Sequence, residues 1–508
     1  METRSRIRKK RSFTKEFEDM EEKIEKEETE LDIHRQRKRF KAGDDENQIE
    51  ITLQNGDLYK GTIKQGKKFG YGEYLCSDGT FYYGDWRKND LRGMALFPNG
   101  DKYLGHMRNE KRDGYGVYYF RCGDVYKGFW RDNLKNGIGL YMFRENERFV
   151  GQWMAGQKHG IGRYVHNNGD VYEGDYRHEA KCGYGRYKFT DGEMYEGDYD
   201  SNQKEGFGEY HFKNGDVYKG CWKKDNFNGY GEYQYENGAW YAGEWKDNMK
   251  HGTGKFKYND GDFYYGKFAD NRFQEYGTFI FKNGDIYVGE HHDSIRHGFG
   301  QYKYSTGDKY TGFWKENKKH GEGEFTFKTG DVYKGMHIDG KRCGYGEYSY
   351  TNGSIYKGYW ANNKKNGNGK LIYPNGDVCV CVWKDNKKHG FGKMVYVANG
   401  RKEIVLGFWK QNDFKRVSSM TASLPAPTTA PETEQQVASQ SSQLLSPSQP
   451  DKLATKRLST SKGEVDAESG SNSPTNSTRG GSFFSGEEID ESEEGDIQEE
   501  EEVKKSKQ

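Results

Sequence analysis

From position 50 to about 413, aromatic residues and glycines alternate with polar residues, and the alternation restarts every 23 residues. Tyr59, Tyr82, Tyr103, Tyr126, Tyr172, Tyr195, Tyr218, Tyr241, Tyr264, Tyr287, Tyr310, Tyr333 and Tyr356 each open a Tyr-x-Gly step, with Phe149 and Cys379 in two further slots. The step from Tyr82 to Tyr103 is two residues short, and the last copy, at Val405, comes three residues late. Sixteen units result. A period of two within each unit predicts β-strands, and self-similarity at a fixed period predicts a repeat array.

In the copy spanning 214–238, Asn214-Gly215 and Asn237-Gly238 predict tight type I′ turns, and Asp225-Asn226 predicts a second turn halfway along. Each unit then reads as a two-stranded hairpin within one long meander. Tyr218, Gly220 and Trp222 share a face with Gly229, Gly231, Tyr233 and Tyr235, while Lys219, Glu232 and Gln234 point the other way. Glycine normally weakens a strand, but here bare backbone leaves room for rings to lie flat upon it. The predicted fold is all-β: an elongated single-layer antiparallel meander of about sixteen hairpins with no required second layer. His291 and His337 stand in the tryptophan slot, and Asn271 to Tyr276 lack the usual His-Gly, so a bend is expected there.

Outside the array the pattern changes. Phe17, Met20, Ile24 and Leu31 recur at helical spacing, so residues 13 to about 40 of a charged segment 1–49 read as an amphipathic helix. It is expected to cap the first hairpin or to pair with a partner helix in a coiled coil, and its flanking basic clusters suit nuclear import or anionic lipid. The Ser/Pro-rich and acidic tail, 414–508, reads as disordered, with scattered kinase-like sites such as Ser446-Pro447.

Composition agrees with a core of rings. Ile, Val, Leu and Phe make up only about 16% of the 508 residues, below what an aliphatic interior needs, yet 40 Tyr, 29 Phe, 10 Trp and 68 Gly are present. No apolar run has the length of a membrane span or signal peptide, and seven scattered cysteines suggest neither disulfides nor zinc, so a cytoplasmic protein is expected. The net charge of +1 hides a basic array and an acidic tail.

Tyr-x-Gly-x-Trp, an Asn-rich turn, His-Gly-x-Gly, an aromatic pair and Asn-Gly-Asp at a 23-residue period resemble the MORN-repeat family over about 360 residues. The resemblance implies a twisted β-array with an aromatic groove. It also implies a role like that of the family's cytoskeletal and ciliary scaffolds, including radial-spoke subunits of the axoneme, or of its junctional membrane tethers.

Catalytic chemistry is not expected. Pairs such as Gly160-Ile161-Gly162 lack the third glycine and following helix of a nucleotide loop, no nucleophile elbow or metalloprotease motif occurs, and no segment outside the repeats could hold a catalytic domain. The column His159, Cys182, His251, His297, His320, Cys343 and His389 places its members about 10 Å apart, too far to share one ion. No metal, cofactor or nucleic acid is therefore expected. The leading expectation is a scaffold in the cilium or flagellum axoneme or the cytoskeleton. Its groove would anchor axonemal or cytoskeletal partner segments through the tryptophan slot: Trp130, Trp153, Trp222, Trp245, Trp314 and Trp360, with Trp86, Trp383 and Trp409 in the same column. The alternative is a tether binding anionic phospholipid through Lys318, Lys319, Lys364, Lys365, Lys387 and Lys388. A homodimer is left open.

Overall fold

The computed structural model describes residues 13–31 and 48–423. Each strand, numbered β1 to β33 in chain order, pairs antiparallel with the next to form one open meander, from β1 (Ile49–Thr52) to β33 (Asp413–Ser423). Sixteen hairpins make β2 to β33, one per predicted unit, and β1 adds an edge. The sheet continues past position 413 to Ser423, where a disordered tail was expected to have begun; the rest of that tail lies outside the described residues.

The turn chemistry is the reverse of the expectation. Between β16 (Val217–Lys223) and β17 (Asn226–Gln234), Lys224 and Asp225 both have positive φ, 49° and 67°, so the two-residue turn lies mid-unit and one residue earlier than predicted. At the Asn-Gly corner only Gly215 has positive φ, 92°. There the Phe212 carbonyl accepts from the Gly215 N–H, and the Phe212 N–H donates to the Asp216 carbonyl. This is a three-residue loop, a type I turn closed by a left-handed glycine.

A bulge interrupts every hairpin except that of β4 (Phe81–Arg87) and β5 (Asp90–Leu96), the unit two residues short, whose strands pair in continuous register. Gly220 pairs with Gly231, but Trp222 pairs with Phe227, so one residue of β16 faces three of β17. The bulge gives the Gly-x-Gly pair two separate tasks. Gly229 adopts φ 87° inside it, whereas Gly231 lies directly beneath the Tyr218 ring and hydroxyl. Tyr230, between them, is turned out to solvent on the opposite face.

Rings form the core as predicted. Tyr218 is fully buried and meets Trp222 and the next unit's Trp245 edge-on, at 5.4 and 5.5 Å between centroids. Adjacent units are also tied by carboxylates. Asp285 accepts from the Tyr302 hydroxyl and the Ser305 N–H, both at 2.7 Å, and Asp216 accepts from Tyr233 and Glu236 in the same way. At the opposite corner, Asn248 accepts from the Phe227 N–H at 2.7 Å. His291 and His337 keep the tryptophan register and pack on the flanking tyrosines as the indoles do, so the strand pairing runs through both units unchanged.

Helix α1 spans Phe13–Glu30, the rest of the expected helix to about residue 40 lying outside the described residues, and it does not cap the first hairpin. It lies on the polar face over β7 (Lys111–Tyr119), β8 (Val125–Arg131), β9 (Leu134–Met142) and β10 (Arg148–Met154). Phe13, Phe17, Met20 and Ile24, with Leu31 beyond the helix end, are buried there against Tyr115, Val117 and Val150, forming a local second layer. Tyr115 donates to the Ile24 carbonyl at 3.1 Å, Arg92 donates to the Glu30 carbonyl at 2.7 Å, and Lys127 pairs with Glu28 at 2.8 Å.

Candidate functional site

The sheet offers two faces with different chemistry. On the ring face, Trp130, Trp153, Trp222, Trp245, Trp314 and Trp360 are only 2–6% exposed. The indole N–H of each of the first five donates to a glycine carbonyl fourteen residues earlier, as from Trp222 to Gly208 at 3.2 Å. The structure places all six inside the ring layer, with Trp86, Trp383 and Trp409 alongside them.

What lies over those rings is a row of cations, of which the sequence reading singled out only Lys319, Lys365 and Lys388, and those for lipid. Lys68, Arg112, Lys135, Lys158, Lys181, Lys204, Lys250, Arg296, Lys319, Arg342, Lys365 and Lys388 occupy one register, two residues before Gly-x-Gly. Each extends across aromatic faces. The Lys135 ammonium sits 3.9 Å from the Trp153 ring, and the Arg342 guanidinium 4.5 Å from Trp360. Burial pushes the Lys135, Lys181 and Lys250 ammoniums down to about 8. Phe227 and Phe273 take the same register in their units and stack on Tyr218 and Tyr264 at 3.7 and 3.8 Å. The signal was legible as a Lys or Arg recurring at fixed distance before glycine, but alternation alone cannot show that a long cationic side chain folds back over the ring layer.

The six lysines assigned to lipid divide accordingly. Lys319, Lys365 and Lys388 belong to the cation row, with Lys365 only 6% exposed. Lys318, Lys364 and Lys387 open their strands beside the mid-unit turns and are exposed. Cys379 and Cys381 replace Tyr and Gly in one late unit, and their sulfurs lie 3.6 Å apart in the core.

The opposite face is polar along much of its length and carries α1. Its apolar positions include Val117, Leu140 and Val150 near α1, the residue inside Gly-x-Gly and the residue before the tryptophan slot; the last two pair across strands, as Tyr115 pairs with Phe129.

Fourteen segments between residues 59 and 401 match the model of the MORN repeat, from 59–81 through 356–378 to 382–401. The chain belongs to the MORN-repeat family. MORN repeats are a non-enzymatic repeat family that mediates protein or membrane interactions, and the array is consistent with a protein-binding scaffold. The units opening at Tyr82 and Val405, outside the matched segments, are hairpins of the same MORN-type sheet. No curated protein matches the sequence. Among solved structures, the chain is similar to the TCP domain of SAS-4 (dCPAP) of Drosophila melanogaster, solved in complex with a proline-rich motif. That likeness has 15% identity and a TM-score of 0.20, over 34% of this chain and 86% of the other. It is also similar to a streptogramin B lyase, at 11% identity and a TM-score of 0.10, over 62% and 91% of the two chains. Neither likeness carries an argument about the function of this MORN protein.

Proposed function

We propose that this MORN protein is a non-enzymatic scaffold that holds segments of partner proteins along its sheet, working in the axoneme of a cilium or flagellum or in the cytoskeleton. The observation that carries the reading is α1. An amphipathic helix already lies on the array, its apolar residues buried against Tyr115, Val117 and Val150 and its Glu28 paired with Lys127. A surface that holds one protein segment at positions repeating every 23 residues is chemically equipped to hold others. On the ring face, a partner segment meets the cation row before any indole, so acidic segments suit it. The axonemal placement rests on the ciliary members of the family.

Two measurements test the reading. A tagged copy in a ciliated cell should co-localise with the axoneme and remain there after detergent extraction. The protein should also co-sediment poorly with anionic vesicles at physiological salt. Firm vesicle binding that collapses as salt rises, with no axonemal or cytoskeletal localisation, would replace the scaffold by a tether held through Lys318, Lys364 and Lys387, the exposed turn lysines.

A further inference from the structure

The surface beneath α1 combines Val117, Leu140 and Val150 with two further columns of the repeat. One is the residue inside Gly-x-Gly, filled by Tyr115, Ile138, Ile161 and Tyr184. The other is the residue before the tryptophan slot, filled by Phe129 and otherwise by polar residues from Gln152 to Glu290 except Cys221. Tyr115 and Phe129 are direct cross-strand partners with centroids 5.6 Å apart and planes at 74°.

The same pair recurs three times at the far end of the sheet. Phe299 faces Phe313 at 5.6 Å and 76°, Tyr345 faces Tyr359 at 5.7 Å and 79°, and Phe391 faces Phe408 at 5.1 Å and 61°. Met336 and Val382 fill the second column between them, so that column becomes apolar in every unit from Phe313 to Phe408. Burial separates the two stretches. Tyr115 under the helix is 1% exposed, whereas its equivalents Tyr345 and Phe391 are 55% and 52% exposed; Glu322 and Asn368 stand between the rings in that column, opposite Met336 and Val382.

We propose that the face between Phe299 and Phe408 is a second helix-binding site, and that its occupant is an acidic amphipathic helix of a partner protein with apolar anchors at heptad spacing. Charge selects this occupant. Helix α1 with Leu31 carries nine acidic and three basic residues, and its Glu28 pairs with Lys127. Residues 295–416 carry 23 basic and 11 acidic residues, and an excess of cations remains when Arg296, Lys319, Arg342, Lys365 and Lys388 of the ring face are set aside; Lys334 and Lys357, in the register of Lys127, pair with Glu324 and Glu347 at 3.0 and 2.7 Å. Lys370 and Lys393 stand exposed in the column filled by Val117 and Leu140 under α1.

The spacing selects a helix. Two strand spacings advance the array by about 9.6 Å per unit, and seven residues of helix rise about 10.5 Å, so one heptad spans one unit. Eighteen residues of α1, about 27 Å, match the six strand spacings between Tyr115 and Tyr184, about 29 Å. The nine spacings from Phe299 to Phe408 would take a helix of roughly 29 residues.

This inference deepens the scaffold reading and rests on it. The test uses the full chain carrying Tyr359→p-benzoylphenylalanine, irradiated with a synthetic peptide of residues 12–34 as the acidic helical probe and mapped by mass spectrometry. Alongside it, fluorescence anisotropy of the labelled peptide is followed on the wild-type chain and on the surface variant Tyr345→Glu. A cross-link from position 359 to the peptide, and a loss of affinity of at least tenfold in Tyr345→Glu, are expected. The proposal is overturned by an absent cross-link, by unchanged affinity in the variant, or by a cross-link from position 359 to residues 424–508 or to a second copy in place of the peptide. Retained axonemal localisation of Tyr345→Glu alongside any of those results would leave the scaffold standing and remove only this site.

Discussion

The Tyr241 ring lies flat over Gly254: a Cβ added to Gly254 would come within 2.5 Å of both the Tyr241 hydroxyl oxygen and Cε2. Tyr241 is fully buried, and its hydroxyl donates to the Glu244 carbonyl at 2.8 Å, so the ring cannot lift without losing that bond. Gly254→Ala should therefore destabilise the sheet by about 2–3 kcal/mol, the usual penalty for overpacking a core. Gly238→Ala, where only φ 87° is at stake and no atom lies within 4 Å, should cost about 1 kcal/mol. Thermal unfolding of the two variants checks the order, and equal losses would remove the ring-over-glycine account.

Asp285 couples adjacent units through Tyr302 and Ser305. Burial raises its carboxyl pKa, but those two bonds and one from Asn283 outweigh burial and hold it below the usual value. Asp285→Ala should cost about 2 kcal/mol, because charge-assisted bonds to a buried carboxylate are lost together. Hydrogen exchange should show the loss as faster opening near the Phe281 to Ser305 corner, with distant hairpins unaffected.

His291 fills a tryptophan slot at 4% exposure, and burial, aided by Arg296, pushes its imidazole down to about 4. The unfolded chain therefore takes up its proton first. Stability should be complete above about pH 6.5 and fall as pH drops toward 4, by up to about 3 kcal/mol from this residue. His337, depressed to about 3 by burial with Lys319 and Arg342 nearby, should act in the same direction. Replacing both with Trp should flatten the acid limb of a pH-dependent melting series; an unchanged limb would assign it elsewhere.

Lys250, 8% exposed, sits 4.9 Å from the Phe256 ring centre with its pKa lowered to about 8 by burial. Between pH 8 and 10.5 the unfolded chain binds the extra proton, so stability should rise with pH across that window, by up to about 3 kcal/mol. Lys250→Met should raise stability at pH 7 and remove this share of the rise, as read by denaturant midpoints at pH 7.5 and 9.5.

Phe17 is 1% exposed beneath α1. Phe17→Ala should cost about 3–5 kcal/mol of helix docking. The readout is loss of exchange protection confined to β7 to β10. Global unfolding would instead make α1 part of the array's own stability.

Period and alternation carried most of the fold, because strand faces follow from a two-residue repeat within a single unit. Tyr218 over Gly231 and the register of Trp222 are local consequences of that repeat. Turn type was less legible: Asn214-Gly215 satisfies a two-residue and a three-residue loop equally well, and the choice follows from how Phe212 and Asp216 pair. The tryptophans were visible as anchors, but not that Lys135 or Arg342 would lie across them, since a flexible side chain's path depends on rings contributed by adjacent units.

The sequence by itself determined the hairpin, its ring face and its sixteenfold repetition, because each requires only contacts within one unit and its neighbour. Tertiary structure alone decided where α1 lies. Tyr115 and Ile24 are 91 residues apart in the chain and meet because apolar residues at several positions of the repeat, from Tyr115 to Tyr184, happen to fall together on that face. Such a coincidence of distant positions appears only when the strands are laid side by side.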